Sequence, residues 1–183
     1  MTHKIREVYI VHHSHTDVGY TDLQEQVIYN QANNIRRAVE LIENGIKNNT
    51  TQKDLKWNCE TWYCVEQFFK MATEEEKENI GLSANYLNFN DLSDCKYLKE
   101  KIHTMQEICG EKGIQIKTAM IADINGISMG QRDALIENGV EFLYTNIHTH
   151  HGMYPLYQNQ KPYFWENENG QRLLVWNGEH YNL

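Results

Sequence analysis

His13-Ser14-His15-Thr16-Asp17-Val18-Gly19-Tyr20 follows directly on an apolar run, Val8-Tyr9-Ile10-Val11. The run reads as a buried strand over about Glu7 to His13, and the residues after Tyr20 open a helix. Two imidazoles and a carboxylate are therefore packed where a strand meets a helix. In βα architectures this is the edge at which ligands and catalytic groups collect. Imidazole and carboxylate are natural ligands of zinc and similar ions. His15 and Asp17 can converge on one ion, whereas His13 reads as a buried, hydrogen-bonded histidine. Gly19 lets the loop turn tightly, and Tyr20 offers a flat apolar wall. The bland alternative is a polar loop that is rich in histidine by coincidence.

Outward from this stretch, strand and helix alternate. Thr21-Asp22-Leu23-Gln24 has a capping-box pattern, and Leu23, Val27, Ile35, Ala38, Val39 and Ile42 then recur on one helical face. Gly45 is expected to weaken the last turn. A strand over about Leu55 to Cys59 precedes a helix from Thr61 to Met71. Thr73-Glu74-Glu75-Glu76 is a second capping box, opening a short charged helix. Next come a strand over Gly81 to Tyr86 and a helix between Asp94 and Cys109, with Leu98, Ile102, Met105 and Ile108 inward. A strand over Ile116 to Ile121 leads into Ala122-Asp123-Ile124-Asn125-Gly126. Ser128 to Gln131 starts a helix that stops at Gly139, before a strand over Val140 to Thr145. Tyr163-Phe164-Trp165, Asn169-Gly170 and Leu173-Leu174-Val175-Trp176 read as an antiparallel hairpin.

This order predicts an α/β fold built of parallel βα repeats in a single domain over residues 1–183. The pattern alone leaves a doubly wound sheet and a barrel both open. No Gly-x-Gly-x-x-Gly or Walker loop follows any strand, which argues against a nucleotide-binding sheet. The formal net charge is −8 with no basic tract, so nucleic acid is not an expected partner. No apolar run is long enough to span a bilayer, and the first residues lack a signal peptide's apolar stretch. A cytoplasmic location is expected. Cys59, Cys64, Cys95 and Cys109 form no Cys-x-x-Cys pair and read as reduced thiols.

The polar residues just past the strands share one expected edge. They are His13, His15 and Asp17; Glu60; Asn85, Tyr86 and Asn88; Asp123 and Asn125; and His148, His150 and His151. Glu60 reads equally well as a helix cap, Asn85 and Asn88 as turn residues, and the late histidines as a solvated loop. Asp123 is favoured as functional because of the shared edge.

These residues carry a resemblance. His13 to Tyr20 resembles the His-Ser-His-x-Asp-x-Gly-Trp signature of glycoside hydrolase family 38, the α-mannosidases. Trp57-Asn58-Cys59-Glu60 is a supporting match. Ile121 to Gly126 resembles the segment that holds the family's catalytic Asp, most closely the Asp-Val-Pro-Gly form of a divergent bacterial branch. The resemblance implies a distorted (β/α) barrel, of which this chain is expected to be the N-terminal part with a C-terminal antiparallel hairpin. It also implies one zinc ion and a retaining mechanism on α-linked sugars. His15 and Asp17 would be zinc ligands, and Asp123 both a ligand and the nucleophile. Tyr20 stands where the family has Trp, as a platform under the sugar; Glu60 and Asn125 are expected to contact substrate. The family's further His ligand and its acid/base Asp have no match before Leu183, although His150 or His151 is a candidate substitute for the former. The chain alone is therefore expected to turn over little or no α-mannoside, and to self-associate or to need a C-terminal portion. Two other readings stand beside this one. His13-x-His15 also resembles the opening of amidohydrolase and PHP-type metal hydrolases, with both histidines on metal, and a truncated relative could bind sugar or a partner chain without catalysis.

Overall fold

The structure is a computed structural model. It describes residues 4–8, 10–77, 80–88, 93–124, 126–146 and 160–178, with the backbone only of residues 75 and 77. In chain order the elements are β1 (His12–His13), α1 (Gln24–Asn48), a 3₁₀ turn (Thr51–Asp54), β2 (Trp57–Asn58), α2 (Trp62–Phe69), α3 (Glu74–Lys77) and β3 (Ile80–Gly81). They continue as α4 (Cys95–Gly110), β4 (Thr118–Ala122), α5 (Met129–Glu137), β5 (Phe142–Asn146), β6 (Pro162–Glu166) and β7 (Arg172–Gly178). The α/β alternation is as the sequence predicts.

β1, β2 and β3 form a parallel ladder in that order, and a second ladder runs β4-β5-β7-β6. The two adjoin, linked among the described residues by two hydrogen bonds. Ala84 N–H donates to the Thr118 carbonyl at 2.9 Å, and Met120 N–H donates to Ser83 Oγ at 2.9 Å. The chain leaving β3 thus lies alongside β4. β7 pairs antiparallel with β6 and also parallel with β5. The predicted hairpin is therefore part of the sheet. Asn167 organises its turn, its Oδ1 accepting from the N–H groups of Asn169 at 3.0 Å and Gln171 at 2.9 Å.

The helices pack through their periodic apolar faces, as hydrophobic burial requires. On α1, Val27, Ile35, Ala38, Val39 and Ile42 are buried; on α4, Leu98, Ile102, Met105 and Cys109 are. Of these, Ile35 and Val39 of α1 and the four α4 residues meet Val65 and Phe68 of α2, Ala119 and Ile121 of β4, Leu143 of β5, and Leu173 and Val175 of β7 in one core. Gly45 has a role its helix propensity does not show. A side-chain carbon there would run into Lys53 N and lie 2.5 Å from Gln52 C, so the glycine is what lets the 3₁₀ turn pack against α1.

Several local expectations are corrected. The first strand is only His12–His13, and Val8 and Ile10 are each 74% exposed. β1 lies at the edge of its ladder with β2 as its partner, so the apolar run before it has no described layer to pack on. β2 and β3 are also shorter than predicted. After β3 the backbone turns over the start of α2, where the Asn85 and Tyr86 carbonyls accept from Trp62 N–H at 2.7 Å and Tyr63 N–H at 3.0 Å. Those acceptors satisfy donors that helix starts leave open, and they draw residues 85 and 86 out of the ladder. The Thr21 capping box does not form; Leu23 occupies the cap position with no side-chain cap and is 74% exposed. The Thr73 box does form, with Thr73 N–H on Glu76 Oε2 at 2.6 Å and Glu76 N–H on Thr73 Oγ at 3.3 Å.

Candidate metal and active site

The loop after β1 carries His15 and Asp17, and the residue after β4 is Asp123. The parallel ladders deliver both to the same strand ends. α1 holds the loop from behind, with Gln31 Nε2 donating to the His15 carbonyl at 2.8 Å. Gly19, at φ +84°, supplies the turn that brings the loop onto α1. Asp123 sits in the left-handed region at φ +64°, where only glycine is free of steric cost. Its N–H donates to the Asn146 carbonyl at the end of β5 at 2.9 Å. The neighbouring strand thus fixes a strained residue at the candidate site, and strain of this kind often collects at functional sites.

His15, Asp17 and Asp123 each offer a ligand atom, all within 4.8 Å of one another. His15 Nε2 is 3.4 Å from Asp17 Oδ1 and 3.5 Å from Asp123 Oδ2. Zinc–nitrogen and zinc–oxygen bonds of about 2.1 Å at tetrahedral angles put neighbouring ligand atoms about 3.4 Å apart. The two spacings from His15 match a tetrahedral edge, and one nitrogen with two carboxylates is a donor set zinc accepts. The residues present fit the ion.

Glu60 stands behind this cluster. Its side chain is 0% exposed. Both its oxygens lie 3.0 Å from His15 Nδ1; Oε2 also accepts from Thr16 N–H at 3.2 Å, and Oε1 from Asn88 Nδ2 at 2.6 Å. Asn88 is in turn held by Asn85, whose Nδ2 donates to Asn88 Oδ1 at 2.9 Å. The Glu60 carboxylate is turned inward, where it faces the His15 ring, the Thr16 N–H and the Asn88 amide. It does not cap α2. Burial works to lower the His15 pKa, but the Glu60 hydrogen bond and the negative charges of Glu60, Asp17 and Asp123 outweigh it and raise the value. His13 goes the other way. Burial lowers its pKa, Glu60 offsets part of this, and His15 adds to the lowering. His13 Nδ1 is 3.9 Å from Glu60 Oε2 and has no hydrogen-bond partner among the described residues, whereas His15 is hydrogen-bonded. His13 is not among the three convergent groups.

Tyr20 is 87% exposed on the loop that holds Asp17. Asn125, His148, His150 and His151 lie outside the described residues. Just past Asp123, Ile124 and Ile127 join Tyr163 and Trp165 in walling a cavity of about 300 Å3, which His15, Asp17 and Asp123 do not line. Sequence reasoning missed Asn88 as a partner of Glu60 and Asn146 as the acceptor for Asp123. The first looked like a turn residue, and the second acts through its backbone, which leaves no signal in residue type. No described helix is long and apolar enough to cross a membrane.

No family model matches the chain, and no curated protein does. Among solved structures, the chain is similar to an α-mannosidase from Enterococcus faecalis V583, with a TM-score of 0.70 and 12% identity. The match covers 91% of this chain and 19% of that one. Over most of its length, therefore, this chain has an α-mannosidase-like fold.

Proposed function

We propose that this chain carries the metal and nucleophile part of a zinc-dependent, retaining glycoside hydrolase of the α-mannosidase type, acting on α-linked sugars. The observation that carries the reading is the convergence of His15, Asp17 and Asp123 within 4.8 Å of one another, with both carboxylates 3.4–3.5 Å from His15 Nε2, within a fold similar to an α-mannosidase. His15 Nε2, Asp17 and Asp123 would hold the zinc, which supplies a template for vicinal sugar hydroxyls. Asp123 attacks the anomeric carbon as the glycosidic carbon–oxygen bond breaks, giving a glycosyl ester. The departing oxygen takes a proton from a general acid, and water then opens the ester with retention. The Asp123 carboxylate oxygen facing the sugar also stabilises the developing oxocarbenium ion that it then captures. Tyr20 and Asn125 are assigned to the sugar.

The water-activating reading through His13 and His15 has less support, because His13 Nδ1 faces Glu60 and not the convergent trio. The test uses a substrate whose leaving group needs no protonation, so that it reads the nucleophile alone. An α-mannosyl fluoride slowed by a second ring fluorine, added with zinc, should attach to the chain, and peptide mass mapping should find the sugar on Asp123. Labelling elsewhere assigns the nucleophile to another residue, and no labelling under conditions where zinc binds favours a sugar-binding role without catalysis; either result rejects Asp123 as nucleophile.

A further inference from the structure

Charged carboxylates are almost never fully buried unless compensated, because desolvation costs several kcal/mol per ion. Glu60 is fully buried, and its compensation comes from several strand ends. His15 Nδ1 and Thr16 N–H approach from beyond β1, and Asn88 Nδ2 approaches from beyond β3, itself held by Asn85. Glu60 itself follows β2. A staple between loops would need only the Thr16 and Asn88 donors. The imidazole adds something else. An ionised carboxylate only accepts hydrogen bonds, so the hydrogen between Glu60 and His15 belongs to Nδ1. A neutral ring then presents its lone pair at Nε2, the atom 3.4 Å from Asp17 Oδ1 and 3.5 Å from Asp123 Oδ2.

We infer that Glu60 is the positioning residue of this site: its buried carboxylate holds the His15 ring as the Nδ1–H tautomer and aims Nε2 between Asp17 and Asp123. Asn88 and Thr16 fix the carboxylate, the carboxylate fixes the ring, and the ring presents a ready-made nitrogen donor. A carboxylate behind a ligating histidine also raises its basicity and affinity for metal. The inference deepens the metal-site reading and rests on it.

Two measurements test it. In 15N-labelled wild-type chain without metal, at a pH where the ring is neutral, long-range proton–nitrogen correlation should show His15 protonated at Nδ1 and bare at Nε2. That is the reverse of the tautomer that predominates in a free histidine side chain. A ring protonated at Nε2 overturns the inference, and this readout needs no variant. In the second, zinc affinity is measured by competition with a chelating dye. Glu60→Gln should weaken zinc binding about 10- to 100-fold with the fold retained by circular dichroism. A folded Glu60→Gln that binds zinc as tightly as wild type overturns the inference and leaves the metal site standing. A wild-type chain that binds no zinc ends the metal-site reading instead.

Discussion

Asp123 is held in a conformation that costs stability, and replacing it by glycine separates its backbone from its chemistry. At φ +64° an L-residue carries a steric cost of about 1–2 kcal/mol, at the lower end for Asp. Glycine removes that cost but loses about 0.5–1 kcal/mol through the greater freedom of its unfolded chain. The carboxylate's contact with His15, between groups 26% and 21% exposed, contributes no more than about 1 kcal/mol after solvent screening. These terms nearly cancel, so metal-free Asp123→Gly should unfold within about 1 kcal/mol of wild type. Zinc breaks the tie. At a free concentration 100 times its dissociation constant, a ligand of the native state adds about 2.7 kcal/mol. Wild type should gain this amount, and the variant, lacking one of three ligands, should gain almost nothing. Urea unfolding with and without zinc reads both numbers. Two results refute the reasoning: a metal-free loss above about 2 kcal/mol, which would make the carboxylate a structural group, or an equal gain from zinc in both proteins.

Asp17→Ala should abolish zinc binding by calorimetric titration while leaving the helical signal intact, and equal affinity in variant and wild type would remove Asp17 from the ligand set. Gly45→Ala should destabilise by about 1–3 kcal/mol, as overpacking does, although helix propensity alone favours alanine by about 1 kcal/mol; a raised melting temperature would show that the 3₁₀ turn yields freely. Burial, with the charge of Glu66 and the neighbouring Tyr97 and Tyr63, pushes the Tyr86 phenol up to about 12. The folded state therefore keeps this proton after the unfolded chain releases it near about 10. Stability should fall as pH rises through that window, less steeply in Tyr86→Phe, and identical slopes would contradict the assignment. The uncovered run through Val8 and Ile10 should drive self-association, so Val8→Lys with Ile10→Lys should lower the sedimenting mass; a wild type already monomeric at high concentration would count against this.

The order of elements was legible because burial writes itself into spacing. Val27, Ile35, Val39 and Ile42 repeat along α1, and Leu98, Ile102 and Met105 along α4. Strand lengths were less legible, since they depend on partners distant in sequence. Ser83 and Ala84 bond to the strand ahead and not within β3's own ladder, and the carbonyls of Asn85 and Tyr86 turn to a helix start. Thr21 and Thr73 head similar motifs, and only the second caps a helix. The pairing of His15 with Asp17 could be read from two positions separated by one residue. Bringing Asp123 to them depends on how the strands assemble side by side, which a motif suggests and only the fold supplies. Glu60 could be placed at the shared edge and expected to hold ligands or loops, but its donors come from the ends of β1 and β3, and nothing in its own neighbourhood names them.

The placement of β7 has a consequence for the order in which the chain folds. Its contact with β6 is local, Glu166 facing Arg172 across the Asn167 turn, whereas its contact with β5 joins Thr145 to Asn177, 32 positions apart (177 − 145). A hairpin closes in about 1–10 μs, and longer loops cost more entropy to close. β6 and β7 should therefore associate first and arrive at β5 as one piece, the long closure being met once for two strands. The Asn167 turn then belongs to the early part of the folding reaction. Weakening it should slow folding more than it speeds unfolding, whereas trimming Val175, where β7 meets the core, should do the reverse.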